Sequence, residues 1–141
     1  NSASGTYAYF KEHVLAKGDY KDNVSELPGS AGVVSTVAND RKGIGYSGIG
    51  YKTSGVKALA LADKVGGKAI EPTYANALSK AYPLSRYLFV YVLRDPRRPM
   101  DPLTKEFLRF VLSKQGQEIV VKDGYLPLTA EMAAQELAKL D

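Results

Sequence analysis

Residues that could bind an anion stand near the start of the chain, at Ser4, Gly5 and Thr6. The two hydroxyl residues are preferred at positions that cap the first turn of a helix. The glycine between them would let a ligand approach the main chain closely. The triplet therefore fits either of two roles: it caps a helix, or it also presents free N–H groups to an oxyanion.

The residues that follow the triplet predict a helix. Apolar side chains recur at helical spacing between Tyr7 and Val14, which favours a helix over residues 6–17. We expect Gly18 to end this helix in the left-handed conformation. The first acidic side chain is Glu12, beyond the first turn, so no carboxylate of the helix neutralises the positive end of its dipole. Hydroxyls, unpaired amides and a helix dipole at one point make an oxyanion site, with simple capping as the alternative.

The composition fits one domain of ordinary size and excludes several classes of function. The 141 residues are 45% hydrophobic, which is enough to build a core. No stretch approaches the roughly 20 apolar residues that cross a bilayer. The absence of cysteine excludes disulfides, thiolate catalysis and the usual structural zinc sites. The net charge of +4 is mild and dispersed, which favours small anions over nucleic acid as partners.

Catalytic motifs are scarce. His13 is the single histidine and is expected to be solvated, and no acidic pair has a spacing suited to general acid–base work. The pattern G-x-G-x-x-G occurs at residues 43–48, but a turn at residues 52–55 follows it where a dinucleotide site needs a helix. We therefore expect a binding protein rather than an enzyme, with no cofactor and no metal.

Strands and helices are predicted to alternate, which is typical of an α/β fold with a largely parallel sheet. The continuous apolar run at residues 88–93 indicates a central strand that is buried on both faces. Residues 56–62 favour a strand, with a helix as the alternative. The further predicted elements are a strand at 44–49 and helices over 30–39, 73–81, 102–115 and 130–140.

Several short motifs resemble, in this order, the C-terminal half of the phosphate-binding protein of bacterial phosphate ABC transporters. The likeness covers nearly the whole chain. The motifs are Ser-Ala-Ser-Gly-Thr at 2–6 with an aromatic-rich helix, Gly-Ile-Gly-Tyr at 43–46, Tyr-Pro-Leu-Ser-Arg at 82–86 with its apolar strand, Gly-Gln at 116–117, and Gly-Tyr-Leu-Pro-Leu at 124–128. The first and third of these are its most specific parts.

The resemblance implies a type II periplasmic-binding-protein-like α/β fold with a mixed, mostly parallel sheet. Residues 1–82 would form the second lobe, with the anion-binding helix N-terminus. Residues 83–141 would supply the returning strand and the C-terminal helices that complete the first lobe. The family's phosphate contacts map to Ser4, Gly5 and Thr6.

The family resemblance also implies partners and a location. They are inorganic phosphate, the membrane permease of the transporter, and a complementary chain or swapped copy that supplies the rest of the first lobe. A local rearrangement that covers the apolar run at residues 88–93 is the alternative to an added chain. The protein would be periplasmic or extracellular, and an N-terminal part could anchor it to the membrane. The sequence begins without methionine at the edge of a motif, so we expect a piece of a longer protein.

Two departures from the family pattern leave alternatives open. The family's arginine four positions before Ser4 would fall one residue ahead of Asn1, and some members carry an aspartate where Ser2 stands. A binding protein for another oxyanion, or an interaction module of the same fold that has lost its ligand, therefore remains an alternative.

Overall fold

The computed structural model describes residues 2–95 and 97–140. Asn1, Pro96 and Asp141, which belong to the predicted domain ranges, lie outside the described residues. The chain divides into two units, Asn1–Arg86 and Tyr87–Asp141. The described helices are α1 Gly5–His13, α2 Gly29–Asn39, α3 Tyr74–Leu78, α4 Pro102–Leu112, α5 Lys114–Lys122 and α6 Ala130–Leu137, with short 3₁₀ helices at Ile49–Tyr51 and Ala138–Leu140.

In the first unit, α1 begins at Gly5, one residue before the predicted start, and ends earlier than predicted. Its last helical residue is His13, so the prediction of a helix to residue 17 is wrong. The left-handed residues are Ala16 and Lys17, with φ of 50° and 68°, whereas Gly18 does not adopt that conformation. Gly18 is instead needed for space, because a Cβ there would lie 2.9 Å from the carbonyl oxygen of Leu15.

The glycine-rich segment after α2 packs against that helix. A Cβ on Gly45 would lie 3.0 Å from methyl groups of both Val33 and Val37, which is closer than ordinary packing allows. The predicted strand at 44–49 does not form; a 3₁₀ turn at Ile49–Tyr51 follows the glycines. Gly45 therefore allows the segment after α2 to lie close to that helix. The glycines lead into a 3₁₀ turn, whereas a dinucleotide-binding loop leads into an α-helix.

Residues 56–62 form neither the predicted strand nor its helical alternative. An isolated antiparallel bridge joins Leu61 to Ile70 through two backbone hydrogen bonds of 2.9 and 2.7 Å. The next helix, α3, is shorter than predicted and spans Tyr74–Leu78, with Thr73 as its N-cap. It ends before Lys80, whose φ is 57°.

In the second unit, α4 contacts α5 and α6. Leu108 of α4, Ala133 of α6 and Leu140 are among the few buried apolar residues. Gly116 makes the tight junction between α4 and α5 possible, because a Cβ there would lie only 2.1 Å from the carbonyl oxygen of Phe110. Gln117 links this junction to the segment before α6, since its amide group donates to the carbonyl of Val111 and accepts from the amide of Leu128.

Within the described part of the chain, no strand ladder is present beyond the bridge at Leu61. The predicted central strand at residues 88–93 has no pairing partner there, and its side chains are exposed, with Tyr91 at 90% and Leu93 at 102%. The mixed, mostly parallel sheet is thus not confirmed. A strand is stabilised by ladder hydrogen bonds, and this segment has no neighbouring strand among the described residues with which to form them.

Candidate functional site

The first turn of α1 carries the predicted site residues, and the structure brings them together. Ser4 is the N-cap, and its side-chain oxygen accepts a hydrogen bond from the amide of Thr6 at 3.2 Å. Its carbonyl accepts from the amide of Ala8 at 3.2 Å. The amides of Gly5 and Tyr7 have no acceptor among residues 2–95 and 97–140. Two backbone donors and two hydroxyl donors are therefore available at one helix end.

This helix end is open to solvent and keeps its positive dipole. Gly5 is exposed, and Ser4 and Thr6 are half-buried. The first turn of α1 contains no acidic side chain. A helix N-terminus has a partial positive charge of about half a unit, which here is not answered by a carboxylate of the helix itself. Such an end can accept an anion without displacing a protein group.

Arg86 adds a cation to this region, and sequence reasoning did not identify it as a site residue. A methyl group placed on Gly5 would lie 3.6 Å from the terminal Nη2 of Arg86. The guanidinium carbon of Arg86 lies 4.9 Å from the centroid of the Tyr9 ring. The Tyr9 hydroxyl donates to the carbonyl of Ser85 at 3.3 Å. In the sequence, the only sign of a role for Arg86 was that it ends the motif at 82–86. Its contact with Gly5 could not be predicted, because it joins residues far apart in the chain.

An aromatic cluster fixes the rest of α1. Tyr20 stacks on Tyr7 with a ring-centroid distance of 4.5 Å, and Phe10 stacks on Tyr46 at 4.0 Å. The Tyr20 hydroxyl lies 2.9 Å from both the Tyr7 carbonyl and the Tyr46 hydroxyl. Burial, and then the hydrogen bond with Tyr20, raise the pKa of Tyr46. The cluster therefore fixes the position of Tyr7, which directly follows the predicted site residue Thr6 in the first turn of α1.

A surface ion pair joins α1 to the segment that follows it. The Lys11 ammonium lies 2.7 Å from the carboxylate of Asp19. The hydrogen bond and the opposite charge lower the pKa of Asp19 and raise the pKa of Lys11. Because Asp19 is exposed and Lys11 is only partly buried, this pair contributes little to stability.

The other candidate positions have weaker geometry. His13 is exposed and packs on the ring of Tyr9 at 4.3 Å, as expected for a solvated helix residue. The start of α2 also has no acidic side chain in its first turn, but its N-cap is Pro28, no side chain caps it, and Ser30 lies inside the helix. No cluster of three or more histidine or acidic side chains that could hold a metal ion occurs among the described residues.

Comparison with known proteins assigns the chain to a family. Residues 1–115 match the model of the PBP superfamily domain. The chain belongs to the PBP superfamily. This membership establishes a periplasmic-binding-protein-like fold, as the resemblance implied. None of the described helices of this PBP superfamily chain is long and apolar enough to cross a membrane.

The similar proteins carry the name that the sequence motifs indicated. The chain is 56% identical over 140 residues to the phosphate-binding protein PstS of Pseudomonas aeruginosa, covering 99% of this chain and 43% of the relative. It is 34% identical over 120 residues to the PstS protein of Staphylococcus epidermidis, covering 83% of this chain and 36% of that relative. The chain thus spans less than half the length of these relatives, and the resemblance to phosphate-binding proteins is confirmed.

Proposed function

We propose that this chain carries part of the phosphate site of a receptor for an ABC-type phosphate uptake system. Ser4, Gly5 and Thr6 hold the anion at the N-terminus of α1. The observation that carries the proposal is the open end of α1, with no carboxylate in its first turn, in a chain 56% identical to a phosphate-binding protein. The function is binding rather than catalysis, in keeping with the names of the relatives.

The available donors set the strength of the site. Gly5 and Tyr7 offer amides, and Ser4 and Thr6 offer hydroxyl protons. Charge-assisted hydrogen bonds contribute about 1.5–3 kcal/mol each, and the helix dipole adds roughly 1. Three or four such contacts give about 5–12 kcal/mol before the entropic cost of binding, which is itself roughly 4–15 kcal/mol, whereas micromolar affinity needs roughly 8 net. We therefore expect the isolated chain to bind phosphate at millimolar strength or weaker.

The weak expected affinity fits a two-lobe arrangement, which belongs to the same proposal. Residues 1–82 form most of the second lobe, and residues 83–141 complete the first. In that arrangement residues 88–93 enter a mixed, mostly parallel sheet. Their exposed side chains support this assignment, because a run of six apolar residues is typical of a strand buried on both faces. A complementary chain or a swapped copy supplies the missing partners of the first lobe.

The proposed receptor delivers phosphate to the permease of the transporter. It works in the periplasm or outside the cell, where an N-terminal part could anchor it to the membrane. The mild net charge of +4 is compatible with attraction of a small anion.

A second candidate function is binding of another tetrahedral oxyanion such as sulfate. One observation favours it: the first turn of α1 has no acidic side chain that could accept the proton of hydrogen phosphate. Without such an acceptor, a site distinguishes the two anions poorly.

Titration calorimetry of the chain with phosphate and with sulfate tests the proposal. We expect weak binding of phosphate that Thr6→Val reduces, because this change removes one hydroxyl donor and retains the shape. Thr53→Val, in a turn of the same unit, serves as the matched control and leaves binding unchanged. Micromolar affinity of the isolated chain would contradict the donor count, and stronger binding of sulfate would support the second candidate.

A further inference from the structure

Arg86 has the geometry of a further binding residue at the start of α1. Its Nη2 lies 3.6 Å from the point that a methyl group on Gly5 would occupy. Gly5 is the first residue of α1 and carries one of the amides without an acceptor in the described part of the chain. The guanidinium therefore stands beside the same donors that the proposed phosphate site uses.

The charge of Arg86 is not compensated by a carboxylate, since none pairs with it in the described ranges 2–95 and 97–140. Its neighbour is the positive end of a helix dipole, which repels a cation. Two positive groups at one exposed point are unfavourable unless an anion lies between them. Arg86 retains a planar set of donors that matches two oxygens of a tetrahedral anion.

The contacts of Arg86 hold it in place without using these donors. The guanidinium carbon lies 4.9 Å from the centroid of the Tyr9 ring, a cation–π contact that takes up none of the N–H donors in a hydrogen bond. The Tyr9 hydroxyl donates to the carbonyl of Ser85, so helix α1 and the backbone next to Arg86 are tied together. The side chain is thereby positioned before a ligand arrives, which lowers the entropic cost of binding.

We infer that Arg86 is a direct ligand of the oxyanion, donating from its guanidinium edge to oxygens of a phosphate held at Gly5. The inference rests on the proposed function and adds a residue from a distant part of the chain to the predicted triplet. The alternative is that Arg86 only packs on Tyr9. The two differ in one respect: a packing role needs only the contact with Tyr9, whereas a ligand role also needs N–H donors of the guanidinium directed at the anion.

Phosphate titrations of three variants, followed by ¹⁵N NMR because the affinity is low, separate these roles. Arg86→Gln removes the charge, Arg86→Lys retains the charge without the planar fork, and Arg41→Gln removes an exposed arginine after α2 as the matched control. We expect Arg86→Gln to weaken binding about tenfold. Arg86→Lys falls between it and the wild-type chain, and Arg41→Gln stays within about twofold of the wild-type chain.

The salt dependence of the same titrations gives a readout that packing would not change. The slope of log Kd against log salt concentration becomes shallower in Arg86→Gln and is retained in Arg86→Lys, because a charged contact is screened by salt. If the wild-type chain binds phosphate and both Arg86 variants bind it as tightly as the wild-type chain does, the inference is wrong and the proposed function stands. The inference is also wrong if the affinity of Arg86→Gln falls with an unchanged slope. If phosphate does not perturb Gly5 in the wild-type chain, the proposed function fails and the inference fails with it.

Discussion

The starts of α1 and α4 are two helix ends of the same chain that are capped in different ways. At α4 the carboxylate of Asp101 accepts from both the amide and the hydroxyl of Thr104, at 2.8 and 2.9 Å. These hydrogen bonds lower the pKa of Asp101. At α1 the cap is the neutral hydroxyl of Ser4, and the first turn has no acidic side chain. The end of α4 is neutralised by the protein, whereas the end of α1 keeps its positive charge available to a ligand.

The largest effect on phosphate binding is expected when α1 receives a carboxylate at its N-cap, as α4 has. We expect Ser4→Asp to weaken phosphate binding by at least about a hundredfold, because a carboxylate near a dianion costs several kcal/mol. The thermal midpoint should stay equal or rise, since aspartate caps a helix as well as serine does. Titration and thermal unfolding of the same sample measure both effects. Ser30→Asp, in the first turn of α2, is the control, and retained binding in Ser4→Asp would refute the open-end explanation.

A smaller change at the same end is Gly5→Ala. The added methyl group would meet Arg86 at 3.6 Å, an ordinary contact distance, so folding is not disturbed. It would occupy space next to the free amide, and we expect a loss of about 1 kcal/mol in binding, or roughly fivefold in Kd. Calorimetry measures the loss, and helical content by circular dichroism is the control. Unchanged affinity would mean that the ligand does not approach the main chain here.

The support of α1 can be tested through Tyr20→Phe. This change keeps the stacking on Tyr7 and removes the hydroxyl that lies 2.9 Å from the Tyr7 carbonyl and from the Tyr46 hydroxyl. We expect a loss of about 1 kcal/mol in the free energy of unfolding, measured by denaturant titration. Tyr125→Phe, in the second unit, is the matched control. A stabilised Tyr20→Phe variant would show that the hydroxyl pair does not hold the helix.

The smallest effect is expected at α4. The lowered pKa of Asp101 means that its carboxylate stabilises the fold above its ordinary value of 3.8, and that this contribution is lost as the pH falls through the lowered folded value. Asp101→Asn should therefore lower the thermal midpoint slightly at pH 7 and make no difference at strongly acidic pH. Phosphate affinity should not change. A loss of phosphate binding in this variant would contradict the distinction between the two helix ends.

The same contrast shows what local sequence can predict. The starts of α4 and α6 follow from local signals: Asp101 and Thr129 cap them, and Pro102 is suited to the first helical position. Both helices end three residues earlier than predicted, at Leu112 and Leu137. The start of α1 was predicted in the same way at residue 6, one residue after the observed start at Gly5. These signals act over three or four residues, so they are readable without knowledge of the fold.

Features that depend on distant contacts could not be predicted. The early end of α1 accompanies the ion pair from Lys11 to Asp19 and the left-handed Ala16, neither of which a periodic apolar pattern reveals. The strand at 88–93 was predicted from its composition, but a strand requires a partner, which the described chain does not provide. Arg86 was not predicted as a site residue, because its contact with Gly5 joins residues about eighty positions apart.

The most direct test of the account compares the two helix ends in one phosphate titration observed by ¹⁵N NMR. We predict that the amide signals of Gly5, Thr6 and Tyr7 shift progressively with phosphate, while those of Leu103 and Thr104 at the start of α4 remain unchanged. Equal shifts at both ends, or no shift at Gly5, would contradict the claim that the uncompensated end of α1 receives the anion.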